Sequence, residues 1–238
     1  MFEYTTKQGF RTKKSAATFE RMFRVATELF RQKGFRGATM RDISRKSKLG
    51  LGALYYYFRS KEELVLFFYQ YINQQVIEDF QSRHKTFRSF PDTVAAFIRL
   101  KLEHLGPYRN LLRIVVKEAI DPESPLCPLN PASSKTLFTN VGFFQELVEK
   151  TGRARGEEAR EMARGLWIAH MGILVYWLHD RSKAFKATHQ TIDTLAAALR
   201  LSSNLARIPG LSKYRKQFLS HVAELFPKDV MASAASSI

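Results

Sequence analysis

Side chains suited to binding nucleic acid are concentrated between Thr39 and Lys61, in the sequence TMRDISRKSKLGLGALYYYFRSK. Hydroxyl groups, phenols and cations alternate there with apolar residues. Such a mixture can donate hydrogen bonds to phosphate oxygens while its apolar side chains contact the bases. Apolar spacing and two glycines divide the segment into two short helices joined by a tight turn. We interpret this basic helix pair as a reader of duplex DNA.

The distribution of charge supports this interpretation. The chain has 238 residues, a formal net charge of +16 and a pI of about 10.1, which favours binding to a polyanion. Residues 1–65 hold 15 of the 38 Lys and Arg residues but only 6 of the 22 Asp and Glu residues, so their net charge is +9. The charge is therefore concentrated around the helix pair. A membrane-surface helix would instead combine basic residues with an exposed apolar face.

Other classes of protein fit the composition less well. Cys127 is the only cysteine, which excludes an intrachain disulfide and a cysteine-rich zinc site. The sequence has no metal-ligand spacing, no glycine-rich phosphate loop and no GxSxG motif, so we expect neither an enzyme nor a cofactor. The longest apolar run, residues 165–178, is shorter than the roughly 20 residues of a bilayer span. We expect a cytoplasmic protein without a membrane segment.

Helix formers dominate the sequence, which predicts an all-α fold. Apolar spacing predicts a first helix over residues 18–33, which Gly34 ends. Thr39 has the side chain and the position of an N-cap for a second helix that runs to about residue 48. A third helix is predicted over residues 51–57.

The remaining helices follow from caps, prolines and apolar spacing. Ser60 and Glu63 have the spacing of a capping box, which predicts the start of a fourth helix that runs to about residue 83. Four prolines within residues 121–131 predict a loop. Further helices are predicted near residues 91–104, 108–119, 133–150, 156–180, 188–206 and 211–225.

Three collinear motifs within residues 18–64 resemble a known family. They are Ala26…Leu29-Phe30…Gly34-Phe35, Met40-Arg41-Asp42-Ile43, and Leu54-Tyr55-Tyr56-Tyr57-Phe58 followed by Ser60-Lys61-Glu62-Glu63-Leu64. Together they resemble the DNA-binding domain of the TetR-type (TetR/AcrR) bacterial transcriptional regulators. The rest of the chain is similar to that family only in its length, helical content and position.

The resemblance implies an N-terminal three-helix domain with a helix-turn-helix and a larger C-terminal helical domain for ligand binding and dimerisation. Residues 1–17 would be a basic flexible extension, which could contact DNA or only remain mobile. Residues 18–64 would bind DNA, 65–227 would bind ligand and dimerise, and 228–238 would be a disordered tail. The fourth helix would be the only covalent link between the two domains.

The function implied is that of a homodimeric repressor that leaves a palindromic operator when a small molecule binds. A ligand-independent DNA-binding protein and an activator are the alternatives. The sequence does not identify the operator, the effector or the controlled genes.

By family position, several residues would contact the phosphate backbone of DNA. Each can donate a hydrogen bond or carries a positive charge, so we expect binding to weaken steeply as salt rises. The residues implied are Thr39, Tyr56 and Lys61, with Arg41 and Arg59 nearby.

The base-reading positions at the start of the third helix are unusual. Gly50, Leu51, Gly52 and Ala53 offer no side-chain hydrogen-bond donors. Hydrogen-bonded readout of the major groove should therefore be sparse. Contacts of Leu51 or Ala53 with thymine methyl groups, backbone amides and Tyr55 are the readout that remains, supplemented by DNA shape.

Two further positions depart from the family pattern. Tyr57 stands where histidine is usual, and we include it in the predicted DNA-binding set. Lys48 stands at the turn where glycine is frequent. A left-handed conformation there would cost about 1 kcal/mol relative to glycine.

Two late helices predict self-association. Residues 157–180 begin acidic and become almost entirely apolar, while 188–206 carry one apolar face. In the family, two such helices pair with those of a second copy as a four-helix bundle. The alternative is that both helices fill the core of a monomer. The candidate interface residues are Gly165, Ala169, Gly172, Ile192, Leu195, Ala196 and Leu199.

The fourth to eighth helices would enclose a ligand pocket in the resembled family. The 19 phenylalanines favour an apolar or aromatic effector, although aromatic stripes at this spacing also occur in plain cores. His104 and His170 could anchor a polar group or be ordinary core histidines. The candidate lining residues are Phe67, Phe68, Tyr71, Phe97, His104, Leu112, Val116, Phe143, Phe144, Leu147, Trp167, His170, Met171 and Leu174.

Overall fold

The computed structural model describes residues 13–83 and 89–205, together with Gln217, His221 and Phe226. Within the two continuous ranges the regular elements are helices, which confirms the predicted all-α fold. They are α1 (Lys13–Gly37), α2 (Met40–Ser47), α3 (Leu51–Tyr57), α4 (Lys61–Arg83), α5 (Phe90–Leu105), α6 (Arg109–Ala119), α7 (Ser134–Lys150), α8 (Gly156–His179) and α9 (Lys186–Leu205).

Helix α1 begins earlier than predicted and has a kink where the sequence predicts its end. It begins at Lys13, so residues 13–17, which the sequence assigns to a flexible extension, are helical. Residues 1–12 lie outside the described residues. At Gly34 the backbone leaves the helical region, with φ 73° and ψ 167°, a conformation that glycine adopts without steric cost. The helical conformation therefore breaks at Gly34 as predicted, and the last residues of α1, 35–37, follow this kink.

The ends that the sequence predicts for helices α2 to α9 differ little from those in the structure. The helix predicted near residues 211–225 and the tail 228–238 lie outside the described residues, apart from Gln217 and His221. Residues 121–130 form successive turns and bends, as their prolines predict, whereas Pro131 begins a short 3-10 helix, Pro131–Ser133.

Close contacts divide the chain into two compact units. The first unit combines Met1–Gln75 with Pro107–Ser133, and the second combines Val76–Gly106 with Ser134–Ile238. The chain therefore passes from one unit to the other within α4, before Pro107 and again after Ser133. The expectation that the fourth helix is the only covalent link between the two domains is wrong. Helix α6 belongs to the same unit as the first three helices, so the chain connects the two units at three places.

Aromatic packing and an ion pair hold α6 within the first unit. The ring of Phe23 on α1 stacks on Phe68 of α4 at 4.2 Å between centroids, and Tyr108, just before α6, meets Phe68 edge-on at 4.7 Å. Near the other end of α6, the guanidinium Nε of Arg36 donates to both carboxylate oxygens of Glu118, at 3.1 and 3.0 Å. The helix-turn-helix and α6 thus share one core.

The second unit has a separate aromatic core. Phe97 on α5 lies with its ring centroid 4.5 Å from Phe143 and 5.4 Å from Phe144, both on α7. Helix α8 packs along α7, and α9 packs along α5. Ile192 and Ala196 on α9 are completely or almost completely buried in this packing. The burial of these apolar faces supplies most of the stability of such a helical unit.

Candidate functional site

The first helix of the helix-turn-helix is fixed by a reciprocal cap. Thr39 Oγ1 accepts a hydrogen bond from the Asp42 amide at 3.1 Å, and the Asp42 carboxylate accepts one from the Thr39 amide at 3.1 Å. This arrangement confirms Thr39 as the N-cap of α2. The Thr39 hydroxyl also donates to the Asp42 carboxylate at 2.8 Å. A phosphate that accepts from this hydroxyl would have to replace Asp42.

Asp42 also links α2 to its surroundings. Its carboxylate accepts hydrogen bonds from the Lys33 ammonium at 2.9 Å and from the Arg45 guanidinium at 2.7 Å. The hydrogen bonds from Lys33 and then Thr39 hold the pKa of Asp42 well below its usual range. The carboxylate therefore stays ionised throughout the physiological pH range and keeps the start of α2 in place.

The turn between α2 and α3 has the conformation that the family pattern implies. Lys48 has φ 55° and ψ 33°, in the left-handed region where lysine costs about 1 kcal/mol relative to glycine. Ser44 supports the turn, because its hydroxyl donates to the Leu49 carbonyl at 2.7 Å and its carbonyl accepts from the Leu49 amide at 3.2 Å. These bonds offset the cost of the left-handed residue.

Helix α3 presents its aromatic residues on two sides. Leu54 is fully buried and Phe58, just beyond the helix, is 2% exposed, so both anchor the helix to the core. Tyr56 is 69% exposed and Tyr55 is 47% exposed, while Tyr57 is half-buried with its ring 5.4 Å from that of Tyr56. The two exposed phenols stand on the helix that the sequence assigns to the major groove.

The beginning of α3 carries few side-chain atoms. Gly50, Gly52 and Ala53 are exposed and Leu51 is half-buried. A Cβ atom added at Gly50 or Gly52 would meet no other atom within 4 Å. The surface at this end of the helix is therefore made of backbone, one methyl group and one leucine, as the sequence predicts.

Lys61 has a structural role that the sequence does not reveal. Its ammonium group donates to the carbonyls of Phe35 at 2.6 Å, Ala38 at 3.0 Å and Arg36 at 3.2 Å. The same nitrogen lies 4.6 Å from the centroid of the Phe35 ring. An ammonium group has three hydrogens, and these carbonyls accept all three. A phosphate contact through Lys61 would require it to leave the corner between α1 and α2.

We expect Lys61→Met to lower the free energy of unfolding by about 1–3 kcal/mol, because the carbonyls lose a charged donor. The measurement is urea denaturation of the full chain. Arg59→Met is the matched control, since Arg59 is exposed, equally near the helix-turn-helix and also cationic. An unchanged unfolding midpoint for Lys61→Met would show that the corner does not depend on it.

The start of α4 confirms half of the predicted capping box. Ser60 Oγ accepts from the Glu63 amide at 3.1 Å, as predicted. The Glu63 carboxylate, however, accepts from the amide of Arg59 at 2.5 Å instead of the Ser60 amide. The predicted reciprocal hydrogen bond is therefore wrong, because the Glu63 carboxylate binds the amide of the residue before Ser60. Arg41 and Arg59, which belong to the predicted DNA-binding set, both have exposed side chains that are available for contact with phosphate.

Two family profiles match this chain. The profile of bacterial regulatory proteins of the tetR family matches residues 23–66, which contain the helix-turn-helix. The profile of the tetracyclin repressor-like C-terminal domain matches residues 93–208. Together they cover about two thirds of the chain. The chain belongs to the TetR family of transcriptional regulators.

Solved structures of TetR-family regulators share the fold. A regulator from Syntrophomonas wolfei is 18% identical, with a TM-score of 0.60 over 77% of this chain and 93% of that one. Thermus thermophilus FadR, solved with lauroyl-CoA, is 20% identical, with a TM-score of 0.58 over 77% and 92%. Bacillus subtilis FadR, solved with stearoyl-CoA, is 16% identical, with a TM-score of 0.60 over 75% and 97%. A search of curated proteins found no match.

This TetR-family chain shows no membrane-spanning helix in the residues that the structure describes. The candidate pocket residues are divided between the two units, and nothing in the structure tests whether they line a cavity. That assignment stays a prediction. Phe67, Phe68, Tyr71, Leu112 and Val116 belong to the first unit, and Phe97, His104, Phe143, Phe144, Leu147, Trp167, His170, Met171 and Leu174 belong to the second.

A cleft of about 480 Å³ opens elsewhere in the second unit. Two of its cationic lining residues are already paired, since Arg83 donates to Asp79 at 2.7 Å and Arg99 donates to Asp193 at 2.5 Å. None of the predicted pocket residues lines it. The lining residues are Arg83, Ala96, Arg99, Leu100, Leu102, Glu103, Gly106, Trp177, Phe185 and His189.

A buried polar cluster joins α5, α7 and α8 in the core of the second unit. Lys101 is only 6% exposed, and its ammonium donates to Asn140 Oδ1 at 2.5 Å. Burial lowers the pKa of Lys101 to about 7. His170 is 1% exposed, and burial followed by the charge of Lys101 lowers its pKa well below the usual range. The sequence interpretation included His170 and missed Lys101.

A signal for Lys101 was present in the sequence. It follows Phe97 by four residues, and Ile98 and Leu105 flank it on the same helix. A lysine within such an apolar stripe is on the buried side of a helix. A single cation in a helix is more often part of a solvated face, so the pattern alone does not identify Lys101 as buried.

The predicted dimer face needs correction on α9. Ile192 and Ala196 are 0% and 3% exposed within one protomer, on a helix that packs against α5 and α8, so their side chains are not available to a second copy. Leu195, Leu199, Gly165 and Ala169 are half-buried, and Gly172 is exposed. The exposed large apolar residues of these helices are Val175, Tyr176 and Leu201, at 41%, 46% and 61%.

Proposed function

We propose that this TetR-family protein is a homodimeric repressor that binds a palindromic operator and is released from it by an apolar small molecule. The observation that carries the proposal is helix α3, which a buried Leu54 holds to the core while Tyr55 and Tyr56 face solvent. Large exposed aromatic residues on a short, well-anchored helix indicate a contact surface. Within a basic helix-turn-helix, that surface fits DNA.

Phosphate contacts would supply most of the affinity. Tyr56, Arg41 and Arg59 are exposed, and each can donate to a phosphate oxygen. Thr39 and Lys61 remain in the proposed contact set, although their hydrogens are engaged within the protein. The amides at the start of α4 can also face a phosphate. Binding of this kind releases counterions and weakens steeply with salt.

Sequence discrimination would depend on few groups. Leu51 and Ala53 can contact thymine methyl groups, and Tyr55 can reach a base edge. The glycines at positions 50 and 52 bring backbone close to the DNA without adding a specific donor. DNA shape would supply the remaining discrimination.

We expect Leu51→Ala and Tyr56→Phe to have different effects on operator binding. Leu51→Ala should relax discrimination at one base pair, by about 1 kcal/mol or roughly fivefold, because it removes one apolar base contact. Tyr56→Phe should weaken binding by a similar factor for every sequence, because it removes a phosphate donor. The measurement is selection of an operator from random duplex DNA by the full chain, followed by titration of single-base variants.

Two outcomes would contradict this proposal. If selection enriches no sequence, or if the logarithm of the binding constant does not change with the logarithm of the salt concentration, the protein is not a DNA-binding regulator of this type. If Leu51→Ala leaves discrimination unchanged, specificity depends on shape or on residues 1–17.

The exposed apolar residues of α8 and α9 support a homodimer. Gly172, Val175 and Tyr176 follow one another on the exposed side of α8, and Leu201 is exposed near the end of α9. Small residues allow close approach of a second helix, and the aromatic ring supplies contact area. A dimer would place two reading heads on the two halves of a palindrome.

The proposed effector is an apolar molecule that binds in the second unit. The phenylalanine-rich core around Phe97 supports this class, and two structural neighbours were solved with acyl-CoA thioesters. Release from DNA requires that the effector bind more tightly to the conformation that does not fit the operator. Helix α4 contributes to both units, with residues up to Gln75 in the first and those from Val76 in the second, so a change in its position can affect both.

A further inference from the structure

We propose that Lys101 and His170, with Asn140 as a positioning residue, form a buried receptor for the carboxylate of an apolar acid. This inference rests on the proposed function and narrows it, because it makes the effector a free acid instead of a neutral molecule or a thioester. All three residues belong to the second unit and come from three different helices, α5, α7 and α8.

His170 gives the first indication of a missing partner. It is 1% exposed, and within the described part of the chain neither Nδ1 nor Nε2 has a hydrogen-bond partner. Buried polar side chains in proteins almost always have at least one partner. Two orphaned nitrogens on one buried ring therefore indicate a group that arrives with the ligand.

Lys101 determines the charge of that group. Its ammonium is buried beside the Phe97 ring, 5.8 Å from the ring centroid, and its charge acts on His170. A buried cation is stabilised best by an anion with good hydrogen-bond geometry. Burial already lowers the pKa of Lys101, which shows that the protein environment favours the charged form less than water does. An anionic ligand beside the ammonium would again favour the charged form of Lys101.

Asn140 fixes the direction of the ammonium group. Its Nδ2 donates to the Thr136 carbonyl at 2.7 Å, which sets the orientation of the amide. Its Oδ1 then accepts from Lys101 at 2.5 Å. The side chain of Asn140 is 4% exposed, so solvent does not compete for these bonds. Asn140 therefore fixes one hydrogen-bond direction of the Lys101 ammonium group.

The surroundings favour a carboxylate over other anions. The ring of Phe144 lies 5.7 Å from that of His170, so apolar surface adjoins the polar groups. A carboxylate carries one charge and can accept from the ammonium and from an imidazole N–H together. A phosphate dianion would demand more donors, and the nucleotide of a CoA thioester is too polar for a site bounded by phenyl rings.

The experiment compares acids with matched neutral compounds by isothermal titration calorimetry on the full-length protein. The probes are n-alkanoates from hexanoate to hexadecanoate, the corresponding alcohols and CoA thioesters, and 3-phenylpropanoate with 3-phenylpropanol. We expect at least one acid to bind about 100-fold more tightly than its alcohol, which is the effect typical of losing one partner of a buried charged pair. Lys101→Met should remove that preference without weakening binding of the alcohol.

Two variants separate charge from packing. Lys101→Arg keeps the positive charge and should keep a preference for the acid, while His170→Phe should weaken binding of the acid about tenfold. Lys117→Met, an exposed lysine of the first unit, is the control and should change nothing. If the acid binds equally well to Lys101→Met, or if alcohols or thioesters bind more tightly than every acid, the receptor is disproved.

Operator binding distinguishes this failure from failure of the proposed function. A protein that selects an operator but binds none of the acids has no such receptor and remains a DNA-binding regulator. If the protein binds an acid through Lys101 but selects no operator, the proposed receptor is supported and the proposed repressor function is contradicted. Release of the selected operator by the acid, absent in Lys101→Met, supports both.

Discussion

Lys101→Met should raise the free energy of unfolding by about 1–4 kcal/mol at pH 6, an effect of the size found when buried ion pairs are replaced by apolar groups of similar volume. The folded chain buries this ammonium almost completely, and burial lowers its pKa to about 7. In the unfolded chain the pKa returns to about 10.4. Methionine has a similar length and removes the cost of burying the charge.

The pH dependence of stability gives the sign of the effect. Between about pH 7 and pH 10 the unfolded chain binds a proton at Lys101 that the folded chain does not, so this residue makes stability rise with pH. Its penalty is fully present below about pH 7 and is relieved as the pH approaches 10. The advantage of Lys101→Met should therefore be largest at pH 6 and shrink at pH 9.

Urea denaturation of the unaltered protein and of Lys101→Met at pH 6, 7.5 and 9 measures this difference in the free energy of unfolding. Lys117→Met is again the control for loss of one positive charge, and it should show no pH-dependent change in stability. The variant leaves Asn140 Oδ1 without the Lys101 donor, which reduces the gain. Equal destabilisation of Lys101→Met at all three pH values would show that the protein solvates the ammonium well.

Tyr176→Glu should convert the proposed dimer into a monomer and weaken operator binding by about 100-fold or more. Tyr176 is 46% exposed within one protomer, beside the exposed Val175 and near Gly172 on α8. A carboxylate at the centre of an apolar interface loses its hydration without gaining a partner, at a cost of several kcal/mol. A single reading head then contacts only half of a palindrome.

Multi-angle light scattering and operator titration measure the two effects. Ile120→Glu is the matched control, because Ile120 is also a large apolar residue, is 76% exposed and belongs to the other unit. It should leave both the mass and the operator affinity unchanged. A Tyr176→Glu protein that remains dimeric would place the interface elsewhere.

The parts of the structure that could be predicted depend on neighbours in sequence. Thr39 and Asp42 are three residues apart, so the cap that starts α2 follows from local chemistry alone. Gly34 was predicted to end α1 because only glycine adopts a positive φ easily, and it has that φ.

The parts that were missed depend on residues far apart in sequence. Lys61 donates to the Phe35 carbonyl 26 positions earlier, and no local pattern shows that a corner needs a cation there. Ile192 and Ala196 form an apolar face, but periodicity does not distinguish a face that is buried within one protomer from one that meets a second copy. The grouping of α6 with the first unit has the same origin, since the Arg36–Glu118 pair spans 82 positions.

The bare start of α3 has a consequence for how operator preference could change over time. A Cβ atom placed at Gly50 or Gly52 would find open space, because no other atom lies within 4 Å of it. Alanine within a helix is favoured over glycine by about 1 kcal/mol, so such replacements at position 52 need no compensating mutation. A single nucleotide change in the gene could therefore give the protein a new base contact, and the lineage could move to new binding sites in small, viable steps.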